Sequence, residues 1–254
     1  MVKQIPNLIT ALNILCGSIA ILFAVSGDLI LASLFVFLGI FFDFFDGLTA
    51  RMLNAQSEIG LQLDSLADVI TSGLAPAVVM YQLMNMAFVG RQQTLTEIFS
   101  SEGWNIGANS YFPLLGLLIV VAAAYRLAKF NVDSRQTSGF IGLPTPANAL
   151  LVLSLPLILT YQYSEMAEAL ILNKWVLIGI TVLGCILMNA EIPLFALKFK
   201  TWDFKTNSIR YIFIGLCLIL LITLKFLAIP IIILLYIVLS IFHNKKYQEE
   251  VKLN

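Results

Sequence analysis

The sequence predicts an all-α, polytopic transmembrane helical bundle of about eight spans with both termini cytoplasmic, and three observations carry that prediction. Hydrophobic residues make up 59% of the 254-residue chain and charged residues only 12%, about half the charged share of a soluble domain. Mean hydropathy is +0.92. The apolar residues fall in runs of about 20, long enough to cross a hydrocarbon core as helix, without the alternation that barrel strands require. Lys and Arg gather on every second connection, as the positive-inside rule demands of a polytopic chain.

Taken in order, the apolar runs lie near 8 to 26, 29 to 45, 66 to 89, 111 to 130, 147 to 163, 173 to 190, 208 to 225 and 227 to 243. The first contains Asn7, Thr10 and Asn13 and lacks a small-residue cleavage pattern, so a retained helix is expected rather than a signal peptide. Only Lys225 to Pro230 separates the last two runs, and one kinked helix there would make the count seven. With the N-terminus inside, Arg91, Lys174 and Lys225 fall outside, and the other twelve of the fifteen Lys and Arg fall inside. The connection from about 90 to 110 reads as a plain surface loop. Residues 1–254 read as one integral-membrane domain with no internal repeat of the kind many transporters carry. Fifteen basic residues balance fifteen acidic ones, so no basic surface for nucleic acid is expected. Cys16, Cys185 and Cys217 lie in apolar runs at spacings that suit neither a metal site nor a disulfide framework.

Charge placement carries the chemistry. Asp43, Asp46-Gly47, Ala50-Arg51, Gly60, Asp64 and Asp68 straddle the junction of the second and third spans. A single Asp at a helix end is ordinarily a cap or a solvated residue, but each Asp at membrane depth costs about 2.5–3.5 kcal/mol, so four together need neutralising. Asp43 and Asp46 stand i, i+3 on one helix, and Gly60, Asp64 and Asp68 stand i, i+4, i+8 on the next, so each set lines one face. If the two helices are antiparallel neighbours, the carboxylates converge. Hard oxygen ligands without His or Cys suit Mg²⁺, Mn²⁺ or Ca²⁺, and four carboxylates can hold a pair of ions. A metal pair implies phosphoryl chemistry. Gly47 and Gly60 clear side chains from beside the carboxylates, and Arg51 offers phosphate a bidentate fork.

The whole pattern, D-x2-D-G-x2-A-R-x8-G-x3-D-x3-D, resembles the signature of the CDP-alcohol phosphatidyltransferases at every position. That resemblance implies a membrane-embedded enzyme that displaces CMP from a CDP-linked lipid with an alcohol. It places two divalent metal ions, Mg²⁺ or Mn²⁺, on Asp43, Asp46, Asp64 and Asp68, with Asp68 also the general base. Asp46, Gly47, Ala50, Arg51 and Gly60 would face the cytidine diphosphate. Leu63 to Asp68, Gly73-Leu74-Ala75-Pro76, Tyr125 to Asn131, Gly142 to Asn148 and the opening Pro6 to Gly17 are similar to the membrane-type phosphatidylserine synthase subgroup. The implied substrates are CDP-diacylglycerol and L-serine, at the cytoplasmic face of the plasma membrane, and the implied assembly is a homodimer. Two positions depart from the subgroup: Thr71-Ser72-Gly73 stands where Ser-Phe-Gly is expected, and Lys129 where Arg is commoner.

Serine carries a carboxylate and an ammonium, so its site should hold a cation and several hydrogen-bonding groups. Arg126, Lys129 and Asn131 end the fourth span on the side of the Asp cluster. Either one of the two cations binds the lipid phosphate or serine carboxylate, or both snorkel to headgroups. Thr145 and Asn148, in a proline-interrupted stretch, are further candidates. Lys198 and Lys200 read equally as positive-inside residues or ligands, and His243 as interfacial. Other readings stand beside this one. Glycerol 3-phosphate or inositol could be the acceptor, although a phosphorylated acceptor calls for more Arg and Lys than the chain offers. A prenyl-diphosphate transferase would need a second Asp-rich motif, and a divalent-cation carrier would give the Gly and Ala-Arg positions no purpose.

Overall fold

Helix boundaries follow from local chemistry. The computed structural model describes residues 4–100, 107–133, 139–195 and 203–253. Helix α1 (Ile5–Val25) has Pro6 in its first turn, where the missing N–H costs nothing. Gly27, at φ +87°, then reverses the chain, and Asp28 accepts a hydrogen bond from Leu31 N at 2.9 Å to cap α2 (Leu29–Met52). The two pack along their lengths as an antiparallel hairpin. After Asn54, at φ +48°, Ser57 caps α3 (Glu58–Asp68), its Oγ accepting from Gly60 N at 3.0 Å.

Helix α3 runs through a π-helical segment, Val69–Leu74, into α4 (Ala75–Val89). Pro76, which has no N–H to return to a carbonyl one turn back, follows directly, and the wider turn accommodates it. This 32-residue rod is the centre of the bundle: 56% of its apolar window is buried, against 33% for α1 and for α2. Short α5 (Leu95–Ile98), closed by a Thr94–Glu97 capping box, and 3₁₀ turns at Gly107–Ser110 and Phe112–Leu117 lead to α6 (Leu118–Val132). Then come α7 (Thr145–Tyr161), α8 (Glu165–Ile171) and α9 (Lys174–Asn189), the last two capped by Ser164 and Asn173 and bent by 57°. Helices α10 (Phe204–Leu224) and α11 (Ala228–Leu253) pack on one another around a 3₁₀ turn, Lys225–Leu227.

The protein is therefore an all-α polytopic membrane protein, with one addition that hydropathy did not announce. Strands β1 (Gly139–Ile141) and β2 (Pro193–Phe195) pair antiparallel, Gly139 opposite Phe195 and Ile141 opposite Pro193. By length and apolarity five helices qualify to cross a membrane among the described residues, or six if α8 and α9 make one broken span. Beyond the α8–α9 pair, the difference from the eight runs of the sequence lies in two places. Helix α7 has only 17 residues, and the stretch Asn207–Phe242 counts once although Lys225–Leu227 breaks it. The second and third runs also prove longer than their hydropathy, α2 continuing to Met52 and α3 starting at Glu58. In the 90 to 110 connection, α5 replaces part of the expected plain loop, and residues 101–106 lie outside the described residues.

Candidate active site

Helices α2 and α3, joined through the turn at Asn54, both pack on α1, and three of their carboxylates come together. Asp43, Asp46 and Asp64 each place an oxygen within 4.8 Å of the others. Asp46 is 5% exposed, and its Oδ2 has no hydrogen-bond partner among the described residues. A buried carboxylate oxygen left without a donor, beside two more acidic groups, is a costly arrangement unless a cation joins it. The donor set is oxygen throughout, which fits a hard divalent ion. The residues present therefore fit the expected metal.

A cavity of about 720 Å³ opens beside these groups. Gly47, Ala50, Arg51 and Gly60 all line it, and α1 adds Asn7 and Thr10. The two glycines differ. A Cβ on Gly47 would meet nothing within 4 Å, so its missing side chain leaves open space. A Cβ on Gly60 would stand 3.1 Å from Ser57 Oγ and 3.2 Å from Asn7 Oδ1, so there the missing side chain leaves close contact between the α3 cap and α1 rather than open space. Arg51 Nε donates to the Gly47 carbonyl at 3.0 Å, which ties one edge of the guanidinium to its own helix.

A second cavity of about 220 Å³ adjoins the first, and Asp43, Leu61 and Asp64 line both. Asp68 lines the second, outside the three-carboxylate group. Arg126, Asn131 and Thr145 line it too. Arg126 is 6% exposed; its Nη1 donates to Thr145 Oγ1 at 3.4 Å, its guanidinium lies 6.0 Å from the Phe130 ring centroid, and it shares the cavity lining with Asp68. Asn131 Nδ2 donates to Ser65 Oγ at 2.9 Å. The Ser65 hydroxyl spends its own proton on Leu61 O, so it can only accept from the amide, and Asn131 Oδ1 has no partner among the described residues.

The remaining candidates fall elsewhere. Lys129 sits 3.4 Å from Glu191 and lines neither cavity. Asn148, 1% exposed, packs against Gly184, where a Cβ would overlap its Oδ1. Lys198 and Lys200 lie outside the described residues, as does the His243 side chain.

A model of the CDP-alcohol phosphatidyltransferase family matches residues 3–187, well over half of the chain and all of both cavities. The chain belongs to that family. Among CDP-alcohol phosphatidyltransferases with curated descriptions, it is similar to the CDP-diacylglycerol–serine O-phosphatidyltransferase of Bacillus subtilis (strain 168). The two are 34% identical over 170 residues, 66% of this chain and 81% of that protein. The protein of the same description from Helicobacter pylori (strain 26695) is 33% identical over 216 residues, 83% of this chain and 80% of its own. The archaetidylserine synthase of Methanothermobacter thermautotrophicus is 32% identical over 171 residues, 66% of this chain and 63% of its own.

Within the family frame, sequence reasoning missed three polar contributors. Asn7 and Thr10, i, i+3 on α1, were visible as polar residues on one face of an apolar helix. Ser65, beside Asp64, carried no signal, because its importance lies in the bond from Asn131.

Proposed function

We propose that this protein transfers the phosphatidyl group of CDP-diacylglycerol to the hydroxyl of L-serine, releasing CMP. The observation that carries the reading is the shared wall: two cavities of different character meet at Asp43 and Asp64. The larger, with its Gly47 opening and Arg51, takes the cytidine diphosphate of the donor. Phe44 lines the same cavity and is 62% exposed on the bundle surface, so the acyl chains can stay in lipid while the headgroup enters. The smaller takes serine, with Arg126 and Thr145 for the carboxylate and Asn131 Oδ1 for the ammonium. No substrate contact is assigned to Lys129 or Asn148.

Asp68 accepts the serine hydroxyl proton as the oxygen–phosphorus bond forms and the phosphorus–oxygen bond to CMP breaks. Two divalent ions, Mg²⁺ or Mn²⁺, held by Asp43, Asp46 and Asp64 with Asp68, would stabilise charge on the diphosphate and on departing CMP. The curated relatives described as serine O-phosphatidyltransferases support the choice of acceptor.

The reading includes eight crossings. To the five qualifying helices it adds the bent α8–α9 pair, α7, and a second crossing within Asn207–Phe242. Those 36 residues would extend about 54 Å as one helix, far beyond a hydrocarbon core of about 30 Å. An even count puts both termini on one side, and the Lys and Arg excess makes that side cytoplasmic, together with both cavities. A homodimer is proposed on the family resemblance.

The test is CMP release from CDP-diacylglycerol by the purified chain with Mg²⁺ or Mn²⁺, comparing L-serine, inositol and glycerol 3-phosphate. Serine-dependent release is expected. Release with another acceptor alone would overturn the acceptor, and metal flux without CMP release would overturn the enzyme.

A further inference from the structure

The family match ends at residue 187, yet the chain beyond it closes onto the wall of the smaller cavity. That wall is the turn Pro144-Thr145-Pro146, and two attachments fix the residues before it. Gly142 N donates to Ile192 O at 2.9 Å and Leu143 N to Leu187 O at 2.8 Å. Gly142 sits at φ +76°, and a Cβ there would strike the Met188 carbonyl, so only glycine lets the turn press this closely. One step earlier, β1 pairs with β2, Gly139 opposite Phe195.

Phe195 is in turn held by the C-terminal hairpin. The Tyr236 hydroxyl on α11 donates to Phe195 O at 2.9 Å. The rings of Phe195, Phe213 and Tyr236 form a cluster, with centroids 5.1 Å apart for Phe195–Tyr236 and 5.7 Å for each of the other two pairs. Arg126 is buried, its Nε has no hydrogen-bond partner among the described residues, and its guanidinium donates to Thr145, on the same wall. A buried guanidinium so sparsely bonded depends on the dipoles and charges around it to hold its orientation.

We propose that Tyr236 is a positioning residue: from the hairpin outside the family match, it fixes the Thr145 wall and, through Thr145, the Arg126 guanidinium bonded to it, and so sets how tightly the acceptor binds. The inference rests on the assignment of the smaller cavity to the acceptor. Tyr236 itself lines neither cavity and touches no substrate. Its effect therefore belongs to the acceptor KM and leaves the CDP-diacylglycerol KM alone.

The full chain in detergent or nanodiscs tests this with two variants. Tyr236→Phe keeps the ring cluster and removes the hydroxyl; Phe213→Leu disturbs the cluster and keeps the hydroxyl. For Tyr236→Phe the acceptor KM should rise about five-fold, with the CDP-diacylglycerol KM unchanged and the melting temperature lowered only by the few degrees that one lost net hydrogen bond costs, less than in Phe213→Leu. Phe213→Leu should lower the melting temperature and shift the acceptor KM less than two-fold. An unchanged acceptor KM in Tyr236→Phe overturns the proposal, and so do equal shifts in the two variants or parallel rises in both KM values. The acceptor used is whichever of L-serine, inositol and glycerol 3-phosphate supports CMP release by the unaltered chain. Loss of the serine assignment thus leaves the test standing, failure of Tyr236 leaves the serine assignment standing, and release with none of the three overturns both.

Discussion

Gly39 touches no substrate cavity, yet replacing it with alanine should damage turnover. It lies on α2, one turn before Asp43, where α2 crosses the π-helical segment. A Cβ at Gly39 would stand 2.5 Å from Thr71 Cγ2 and 2.9 Å from Asn13 Oδ1. Thr71 is fully buried, and its Oγ1 donates to Asn13 O at 3.1 Å, so it cannot swing aside without losing that bond. To regain the 3.4 Å of ordinary contact, Thr71 must retreat by about 0.9 Å. Thr71 follows Asp68 by three residues on a continuous helical rod, so the retreat shifts Asp64 and Asp68 against Asp43. Misplacement of about 1 Å in a reacting constellation costs about 100-fold in rate. Overpacking costs about 1–3 kcal/mol of stability, and the better helix propensity of alanine returns about 1 kcal/mol, so the protein still folds. Gly39→Ala should therefore lose about 100-fold in kcat for CMP release, measured at saturating substrates on the monodisperse fraction. Adding Thr71→Ser removes the offending methyl and keeps the hydroxyl, while Asn13, whose amide has no partner among the described residues, yields cheaply. The double variant should recover to within about ten-fold of the unaltered chain. A Gly39→Ala protein with kcat within two-fold of normal would refute the reasoning, and so would a defect that Thr71→Ser leaves untouched.

Three further outcomes follow from the site. Asp46→Asn should abolish CMP release and remove the rise in melting temperature that Mg²⁺ or Mn²⁺ gives the unaltered chain, since an ion stabilises only a fold that binds it. Arg51→Lys should raise the CDP-diacylglycerol KM about ten-fold through loss of the planar fork, with the acceptor KM unchanged. Lys129→Ala removes a partly exposed ion pair worth at most about 1 kcal/mol, so both KM values should move less than about five-fold; a larger rise for the acceptor would make Lys129 a ligand after all.

The helices themselves were legible from their apolar runs, and the structure adds the caps that start them: Asp28, Ser57, Ser164 and Asn173 each precede a helix and accept one of its free N–H groups. The edges that mattered most were not. Hydropathy ends the second run near 45 and begins the third near 66, while α2 continues to Met52 and α3 starts at Glu58. The reason is physical. Asp43, Asp46, Arg51 and Asp64 lower the local hydropathy without breaking the helix, because they face inward to cavities rather than to lipid. A polar site inside a membrane helix thus looks in the sequence like the end of that helix. The π-helical turn and the β1–β2 ribbon were also invisible, since both are settled by hydrogen-bond register between segments and not by composition.

At the site, spacing succeeded where one helix face was enough. The i, i+3 pair on α2 and Asp64 on α3 meet because both helices pack on α1, which brings their carboxylates within reach of one another. Spacing alone could not divide the four carboxylates between two cavities, and Asp68 went with Arg126 because α6 and α7 pack where α3 gives way to the π-helical segment. Nor could it choose between Arg126 and Lys129, three residues apart on α6. The first is buried against Thr145; the second reaches Glu191, and Glu191 belongs to the segment that leads into β2. Tyr236 was beyond reach altogether, one tyrosine in an apolar run with no motif around it. Its place is defined only by the ribbon that carries Phe195 to it, and the ribbon forms only because Gly142 lets β1 turn beneath the Met188 carbonyl. A motif records the residues that must meet a shared donor; the residues that shape the acceptor wall come from wherever the rest of the chain happens to fold back upon it.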